Sequence, residues 1–217
     1  MNTELKNAPL PSIKRLPIYL NMLRLMQVKG RPVVSCTHIA DDLHLDPTQV
    51  RKDLAITGII GRPKVGYQVP ELIQSIEAFL GWKKANEAFL VGVGNLGSAL
   101  LGYEGFAHLG LKIIAAFDSH PEKAGKTIHG REVFPLEQLP SLASRMHVHI
   151  GVLTVPASAA QSAADVLIGS GIRAIWNFTA TRLDAPPDTI VENVELASSL
   201  AVLSSKLEAT MKNKKKS

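Results

Sequence analysis

The stretch Gly92-Val93-Gly94-Asn95-Leu96-Gly97 decides the fold of the larger part of this 217-residue chain. It has the spacing G-x-G-x-x-G, follows the apolar run 88–93 and precedes the helix-forming residues 98–101. In this context the first glycine permits a tight turn, the second lets backbone N–H groups approach a pyrophosphate, and the third lets the helix pack on the strand. The stretch therefore predicts a nucleotide site with phosphates at the amino end of a helix.

Asp118 supports this interpretation, because it follows the next apolar run and lies 21 residues after Gly97. A carboxylate so placed accepts a hydrogen bond from a ribose 2′-hydroxyl and repels a 2′-phosphate, which favours NAD over NADP. The opposing interpretation is a glycine turn and a capping aspartate without a ligand. We favour nucleotide binding, since the two features occur together.

Apolar runs at residues 88–93, 112–117, 148–153 and 172–176 are separated mostly by helical segments. This alternation predicts a parallel sheet covered on both faces. His147 and His149 are expected to be buried structural residues at the third run.

The first 80 or so residues have the pattern of short helices and a hairpin. Leu16-Pro17 is expected to begin the first helix, Thr37 to cap the second, and Asp46-Pro47-Thr48-Gln49 to begin the third. Residues 59–60, a turn at 61–64 and residues 65–69 then predict two paired strands. An amphipathic stretch from Pro70 to Gly81 is interpreted as a connector.

The last predicted helix covers residues 194–211. Its leucines recur at spacings of four, three and four, which suits pairing with another helix and leaves open that the seam packs on its own subunit; they are Leu196, Leu200, Leu203 and Leu207. The lysines that follow are expected to form a solvated tail.

Composition excludes several classes of protein. The single cysteine excludes a disulfide scaffold and a cysteine-based zinc site, and it fits a reducing cytoplasm; no metal site is predicted. No apolar run follows Met1-Asn2-Thr3-Glu4, so no secretory signal is expected, and the uncharged stretch 146–164 is too polar for a membrane span. The net charge of +5 is unevenly distributed, with +3 in residues 1–80, −2 in residues 81–205 and +4 in the last twelve.

The sequence does not have the pattern of a hydride-transfer enzyme. Such an enzyme needs a positioned acid or base near the nicotinamide, and none of the three tyrosines has a lysine four residues later. We therefore predict that the chain is not an enzyme. The alternative is a small NAD-dependent oxidoreductase with an accessory N-terminal domain.

Eight motifs together resemble the Rex family of bacterial redox-sensing transcriptional repressors, over roughly residues 10–207. They are Lys14-Arg15-Leu16-Pro17-Ile18-Tyr19, Gln49-Val50-Arg51-Lys52-Asp53-Leu54, Val65-Gly66-Tyr67, the glycine stretch at 92–97, Ala115-Ala116-Phe117-Asp118, Leu153-Thr154-Val155-Pro156, Trp176-Asn177-Phe178 and Glu192-Asn193-Val194-Glu195-Leu196.

The resemblance implies an α/β chain with a winged helix-turn-helix domain and connector at 1–82, a Rossmann domain at 83–193, and a dimerisation helix with a basic tail at 194–217. Such proteins are homodimers in which the C-terminal helix is swapped into the partner. They bind palindromic double-stranded operator DNA when NADH is scarce and leave it when NADH binds, and so report the NADH/NAD⁺ ratio.

The resemblance also implies roles for individual residues. Gln49, Arg51 and Lys52 would enter the major groove, and Arg62 and Lys64 would contact DNA from the wing. The cofactor site would comprise Gly92, Gly94, Asn95, Leu96, Gly97, Asp118, Tyr103, Thr154, Pro156, Asn177 and Phe178.

The sequence departs from the family pattern at the switch between its two states. Asn21 stands where many members have an arginine, and Glu195 stands where an aspartate is usual, beside the nicotinamide-responsive Tyr103. Asn21 cannot offer a charge-assisted bidentate contact, so we expect altered wiring of the switch. Residues 55–58 also differ from the usual motif, which predicts a different operator preference.

Two further interpretations of the function remain open. One is a winged helix that docks protein, and the other is a sensor of coenzyme A or NADPH.

Overall fold

The computed structural model describes residues 8–84 and 86–214, apart from the side chains of 213 and 214. The opening residues Met1 to Glu4 and the tail lysines Lys215 and Lys216 lie outside the described residues. The chain divides into two units, Met1–Lys84 and Ala85–Ser217, two residues beyond the predicted boundary at 82. Each unit is described by itself.

The first unit is a small helical domain with a two-stranded sheet. Its elements are α1 (Leu10–Val28), β1 (Val33–Val34), α2 (Cys36–Leu43), α3 (Pro47–Ala55), β2 (Tyr67–Gln68) and α4 (Val69–Phe79). The strands β1 and β2 are antiparallel. One apolar core joins the helices, with Leu16, Leu20, Leu54 and Leu72 fully buried.

The helix starts in this unit were predicted with mixed success. The start at Asp46 is confirmed, since its carboxylate accepts a hydrogen bond from the Gln49 N–H at 3.0 Å. The cap of α2 is Ser35 rather than Thr37. The predicted start at Leu16-Pro17 is wrong, because α1 begins at Leu10 with Pro11 in its first turn and Pro17 lies inside the helix. The buried side chains on either side of Pro17 stabilise the helix against the proline's missing N–H.

The predicted hairpin has the wrong first strand. The partner of β2 is Val33–Val34, while Ile60 is 90% exposed and lies in no strand. Residues 62–66, here called the Arg62 turn, close on themselves: the Arg62 and Gly66 backbones exchange hydrogen bonds of 2.8 and 2.9 Å. Gly66 has φ +96°, and a Cβ there would lie 2.3 Å from the Val34 carbonyl oxygen. Only glycine therefore fits this position.

A buried ion pair fastens α1 to α3. Asp53 is fully buried and accepts hydrogen bonds from Arg15 Nε at 2.6 Å, from a terminal Arg15 nitrogen at 2.8 Å and from the Tyr19 hydroxyl at 2.6 Å. Gln49 donates a further bond of 2.8 Å, and we call these four residues the Asp53 network. Burial alone would raise the pKa of Asp53, but the hydrogen bonds from Arg15 and Tyr19 outweigh it and lower the pKa to about 2.

The second unit is a seven-stranded sheet with helices on both faces. Its elements are β3 (Asn86–Val91), α5 (Asn95–Leu101), β4 (Leu111–Asp118), β5 (Thr127–Ile128), β6 (Arg131–Pro135), α6 (Leu139–Met146), β7 (Ile150–Leu153), α7 (Ala160–Gly169), β8 (Ala174–Asn177), β9 (Ile190–Asn193) and α8 (Leu196–Lys214). The strand order is β5-β6-β4-β3-β7-β8-β9, and only β5 runs antiparallel to its neighbour.

The predicted parallel sheet is confirmed, with an apolar core on each face. The short strands β5, β6 and β9 were not predicted, because polar residues interrupt them. The expectation for His147 and His149 is wrong: β7 begins only at Ile150, and both histidines are exposed before it. Among the helices that the structure describes, none combines the length and the apolarity of a membrane span.

Replacing Asp53 with asparagine should lower the free energy of unfolding of the first unit by about 3 kcal/mol at pH 7, because it leaves Arg15 without its buried partner. The folded pKa of Asp53 lies below its ordinary value of 3.8, so its stabilisation is present above that value and is lost as the pH falls towards 2. Urea unfolding followed by Trp82 fluorescence in a Trp176→Phe background measures both effects.

The matched control is Asp41→Asn, at an exposed aspartate on α2. An Asp53→Asn variant as stable as this control at pH 7 would contradict the role of the network.

Candidate functional site

The three glycines of the loop after β3 have three different surroundings. Gly92 has φ +99°, and a Cβ there would lie 2.8 Å from the Val155 nitrogen. A Cβ on Gly97 would lie 2.0 Å from the Gly92 carbonyl oxygen, so α5 reaches the end of β3 only because Gly97 has no side chain. At Gly94, by contrast, no described atom lies within 4 Å of the Cβ position. The space beside Gly94 is thus open to a ligand.

The hydroxyl of Thr154, just after β7, holds this loop in place. It donates to the Gly92 carbonyl oxygen at 2.7 Å and lies 3.1 Å from that of Val91. The carboxyl ends of β3 and β7 are therefore tied together where parallel α/β sheets bind ligands.

A cleft of about 610 Å³ opens at this edge of the sheet, and we call it the Gly94 cleft. Seven of the predicted cofactor residues line it, namely Gly92, Gly94, Asn95, Leu96, Asp118, Thr154 and Pro156. Gly97 is buried and does not line the Gly94 cleft. The volume is in the range of small-molecule and cofactor sites.

Asp118 ends β4 on the wall of the Gly94 cleft, and its side chain is only 5% exposed. Its Oδ2 accepts hydrogen bonds from the Val93 N–H at 2.7 Å and from Lys123 Nζ at 2.9 Å. Its Oδ1 accepts from the His120 N–H at 3.0 Å, and the ring Nδ1 of His120 lies 2.9 Å away. Burial opposes ionisation, but the hydrogen bonds from Lys123, His120 and Val93 lower the pKa of Asp118 to about 2.

These residues fit a dinucleotide. The open space beside Gly94 admits a pyrophosphate, α5 begins there with Gly94 as its N-cap, and an ionised carboxylate stands at the end of the next strand for a ribose. When bound, such a cofactor would report its redox state through the nicotinamide. No group of metal ligands forms within the described part of the chain.

Tyr103 and Phe178 lie outside the Gly94 cleft, at the two ends of a row of edge-to-face rings. Tyr103 contacts Phe106 at 4.9 Å between centroids, Phe106 contacts Trp176 at 5.5 Å, and Trp176 contacts Phe178 at 4.7 Å. Tyr103 is 57% exposed and borders a separate cavity of about 390 Å³. Two predicted cofactor residues are therefore linked to each other through ring contacts with Phe106 and Trp176.

Asn177 is fully buried, and its amide is engaged within the protein. It donates to the Thr181 carbonyl at 2.9 Å and to Asn193 Oδ1 at 2.8 Å, and accepts from the Thr179 N–H and hydroxyl. The structure does not bring it to the Gly94 cleft, and these bonds give it a role in fastening β8 to β9.

Four of the predicted DNA-reading residues are exposed cations of the first unit. Arg51 and Lys52 are exposed on α3, and Arg62 and Lys64 are exposed in the Arg62 turn, where Lys64 adopts φ +62°. Gln49 is half-buried, and one of its amide hydrogens is bonded to Asp53. The Asp53 network therefore includes a residue of the same helix that carries Arg51 and Lys52.

The predicted switch residues are accessible in their own units. Asn21 is exposed on α1 in the first unit. In the second unit Glu195 directly precedes α8, is exposed, and accepts a hydrogen bond from the Ser198 hydroxyl at 2.8 Å. Their joint role remains a prediction.

Sequence reasoning missed Lys123 and His120, which both contact Asp118. The available signal was their proximity, since they follow Asp118 by five and two residues. Only the turn after β4, in which the Lys123 N–H bonds to the His120 carbonyl, brings the lysine back to the carboxylate.

Two family models match the chain. The model described as "CoA binding domain" matches residues 83–181, and the one described as "Putative DNA-binding protein N-terminus" matches residues 7–55. The first corresponds to the unit with the Gly94 cleft and the second to the region from α1 to α3.

Relatives extend the match to almost the whole chain. A Treponema denticola protein named redox-sensing transcriptional repressor Rex is 47% identical over 193 residues, covering 89% of this chain and 92% of the relative. A Bacteroides fragilis protein of the same name is 43% identical over 199 residues, covering 92% and 90%.

Solved structures match the fold of almost the whole chain. The crystal structure of RSP with β-NAD⁺ and operator DNA matches with a TM-score of 0.88 and 33% identity, covering 96% of both chains. The crystal structure of RSP with β-NADH matches with a TM-score of 0.87 and 32% identity, covering 97% and 99%.

Alanine substitutions at two glycines separate packing from ligand binding. Gly97→Ala should lower the free energy of unfolding of the second unit by about 2 kcal/mol, because its methyl group meets the Gly92 carbonyl. Gly94→Ala should leave stability unchanged and weaken dinucleotide binding about tenfold, because its methyl group fills the space open to phosphate.

Thermal unfolding without ligand and calorimetric titration with NADH measure the two effects. A stable Gly94→Ala variant that binds as tightly as the unchanged protein would contradict this placement of the phosphates.

Proposed function

This chain belongs to the Rex family of redox-sensing transcriptional repressors, and we propose that it represses transcription by binding operator DNA in a way that NADH opposes. The observation that carries the proposal is the combination of the exposed cations of α3 and of the Arg62 turn in one unit with the Gly94 cleft in the other. In this proposal the protein acts in the cytoplasm, where its operator DNA lies.

The DNA side of the proposal rests on the charges around α3. Arg51 and Lys52 are exposed on a helix of nine residues, long enough to present several side chains to a major groove. Arg62 and Lys64 in the Arg62 turn supply contacts to the backbone or the minor groove. With Gln49 partly held by Asp53, the arginine and the lysine of α3 are the more available contacts.

The nucleotide side rests on the Gly94 cleft. The loop and the amino end of α5 hold the pyrophosphate, and Asp118 orients the adenosine ribose. In this proposal the nicotinamide acts on the switch residues Asn21, Tyr103 and Glu195. The row of aromatic rings from Phe178 to Tyr103 links the nicotinamide to that switch. The coupling is reciprocal, so NADH weakens operator binding by the factor by which operator weakens NADH binding.

The protein acts as a homodimer in this proposal. Leu196, Leu200, Leu203 and Leu207 on α8 are each at least 60% exposed, a row of apolar side chains that a second copy would cover. A two-fold dimer matches a palindromic operator.

The test is a fluorescence anisotropy titration with a duplex selected from random DNA in the absence of NADH. We expect the protein to bind that duplex without ligand, to leave it on addition of NADH and to remain bound with NAD⁺. Binding that ignores both nucleotides would contradict the proposal, and steady oxidation of NADH by carbonyl substrates would favour the oxidoreductase alternative.

In the same titration Lys52→Ala should weaken operator binding and lower the slope of log affinity against log salt by about one, because one phosphate contact is lost. The matched control is Lys83→Ala, which removes an exposed lysine after α4. Equal losses in the two variants would move the reading surface elsewhere.

The double substitution Leu200→Glu with Leu203→Glu should convert the dimer to a monomer, because it places charges in an apolar interface. Val202→Glu is the control, since Val202 is 56% exposed and lies on α8 outside the leucine seam. Sedimentation velocity distinguishes the species, and a dimeric double variant would show that the seam does not pair.

A further inference from the structure

The second unit contains another cavity, of about 390 Å³, which we call the Arg131 cavity. It is lined by the segment that follows α5, by the amino end of β4 and by the hairpin of β5 and β6. None of the residues described on its wall also lines the Gly94 cleft, which lies at the carboxyl ends of the strands. The Arg131 cavity is therefore a separate site on the same unit.

Two close packing contacts hold aromatic rings at the wall of the Arg131 cavity. A Cβ on Gly102 would lie 2.9 Å from His129 Nδ1, so the imidazole lies directly against the chain at the end of α5. A Cβ on Gly105 would lie 2.5 Å from the Tyr103 hydroxyl oxygen, so the phenol lies over Gly105. Since neither glycine has a side chain, both rings approach the backbone closely and the cavity keeps its shape.

Arg131 is held so that the end of its guanidinium stays available to a ligand. Its Nε donates to the Ile113 carbonyl at 2.6 Å. Its Nη1 makes only a long bond of 3.4 Å to the Gly130 carbonyl, and its Nη2 makes none within the described part of the chain. The planar end of a guanidinium pairs with a carboxylate through two parallel hydrogen bonds. An arginine already fixed in place loses little conformational entropy when it binds one.

The other charged residues of the cavity favour a ligand with a single negative charge. Lys112 and Glu104 are exposed, and neither forms an ion pair among the residues that the structure describes. With Arg131, these charged side chains leave an excess of one positive charge, and the Glu104 carboxylate opposes a dianion.

The cavity also has an apolar part. It is formed by side chains that are less than 10% exposed, namely Leu101, Phe106 and Ile113. An apolar wall with a few polar groups that fix the orientation of the ligand is typical of small-molecule sites. The lining therefore suits a short hydrocarbon chain that ends in a carboxylate.

We propose that the Arg131 cavity binds a small monocarboxylate with a short hydrocarbon chain, and that this ligand acts on the switch through Tyr103. Arg131 pairs with the carboxylate, and Lys112 adds a second positive charge. The hydrocarbon chain lies against the apolar wall and contacts the exposed ring of Tyr103. The binding site stands by itself, whereas the effect on the switch rests on the proposed function.

The first experiment is a calorimetric titration of the full chain with pentanoate at constant ionic strength, without NADH or DNA. Pentanamide is the matched ligand, because it has the same hydrocarbon chain and no charge. We expect it to bind at least about tenfold more weakly than pentanoate, because it cannot form the charge-assisted pair with Arg131. Trp176 contacts Phe106 of the cavity wall, so its fluorescence in a Trp82→Phe background gives a second readout.

Three substitutions in the cavity should change pentanoate binding in different directions. Arg131→Met should weaken it about tenfold, because the paired hydrogen bonds are lost. Lys112→Met should weaken it about threefold, because an exposed charge is partly screened. Glu104→Gln should strengthen it about threefold, because a like charge is removed, and a loss of folding cannot produce such a gain.

The matched control is Lys126→Met, which removes an exposed lysine that does not line the Arg131 cavity and should leave pentanoate binding unchanged. The proposal is overturned if pentanoate does not bind, or if pentanamide binds equally well. It is also overturned if Arg131→Met and Lys112→Met bind pentanoate as the control does, or if Glu104→Gln binds it more weakly.

The second experiment measures the dissociation constant of NADH with and without saturating pentanoate. We expect a change of at least about fivefold, and NADH should change the affinity for pentanoate by the same factor. An unchanged NADH affinity in the presence of bound pentanoate would overturn the action through Tyr103. If pentanoate binds and NADH does not, the proposed function fails while the assignment of the Arg131 cavity stands.

Discussion

The contact between Gly97 and the Gly92 carbonyl is the constraint on which the nucleotide cleft depends. A side chain at Gly97 would meet that oxygen at 2.0 Å, so the approach of α5 to the end of β3 requires hydrogen at this position. This approach sets the direction of α5, and Thr154 holds the same carbonyl from β7 at 2.7 Å. Asp118 is placed on the cleft wall by the parallel pairing of β4 with β3 and by its hydrogen bond from the Val93 N–H at 2.7 Å.

A second constraint shapes the DNA-binding unit. The Asp53 network joins α1 to α3 through one buried carboxylate, with Arg15 and Tyr19 on α1 and Gln49 on α3 itself. Since Arg51 and Lys52 directly precede Asp53 on the same helix, the placement of that helix by the ion pair also places them. Asn21, a predicted switch residue, lies on α1 two residues after Tyr19, which donates a hydrogen bond to Asp53 of α3.

Much of the fold could be predicted from the sequence where local patterns agree with tertiary structure. The four central parallel strands are continuous apolar runs, and the glycine loop and the cap at Asp46 depend on residues within a few positions of one another. The pairing of Val33–Val34 with Tyr67–Gln68 could not be predicted in this way, because both strands have two residues and lie more than thirty apart. The start of α1 was misplaced because a proline is typical of a first turn, whereas Pro17 lies inside the helix between the buried Leu16 and Tyr19.

The residues of the candidate site could likewise be predicted only in part from the sequence. Seven of the predicted cofactor residues meet in the Gly94 cleft, since they follow the ends of adjacent parallel strands. Lys123 was missed because its approach to Asp118 depends on the turn after β4. Asn177 was grouped with the cofactor residues because the sequence does not show that hydrogen bonds within the protein engage its amide.

The central claim is that one chain couples a nucleotide to an operator. It is tested most directly by the dissociation constant of NADH measured with and without saturating operator duplex, beside that of the duplex with and without saturating NADH. The account predicts that each ligand weakens the other by the same factor, within the 5- to 150-fold range of roughly 1–3 kcal/mol typical of allosteric coupling. An NADH affinity that does not change when the operator is bound would contradict it.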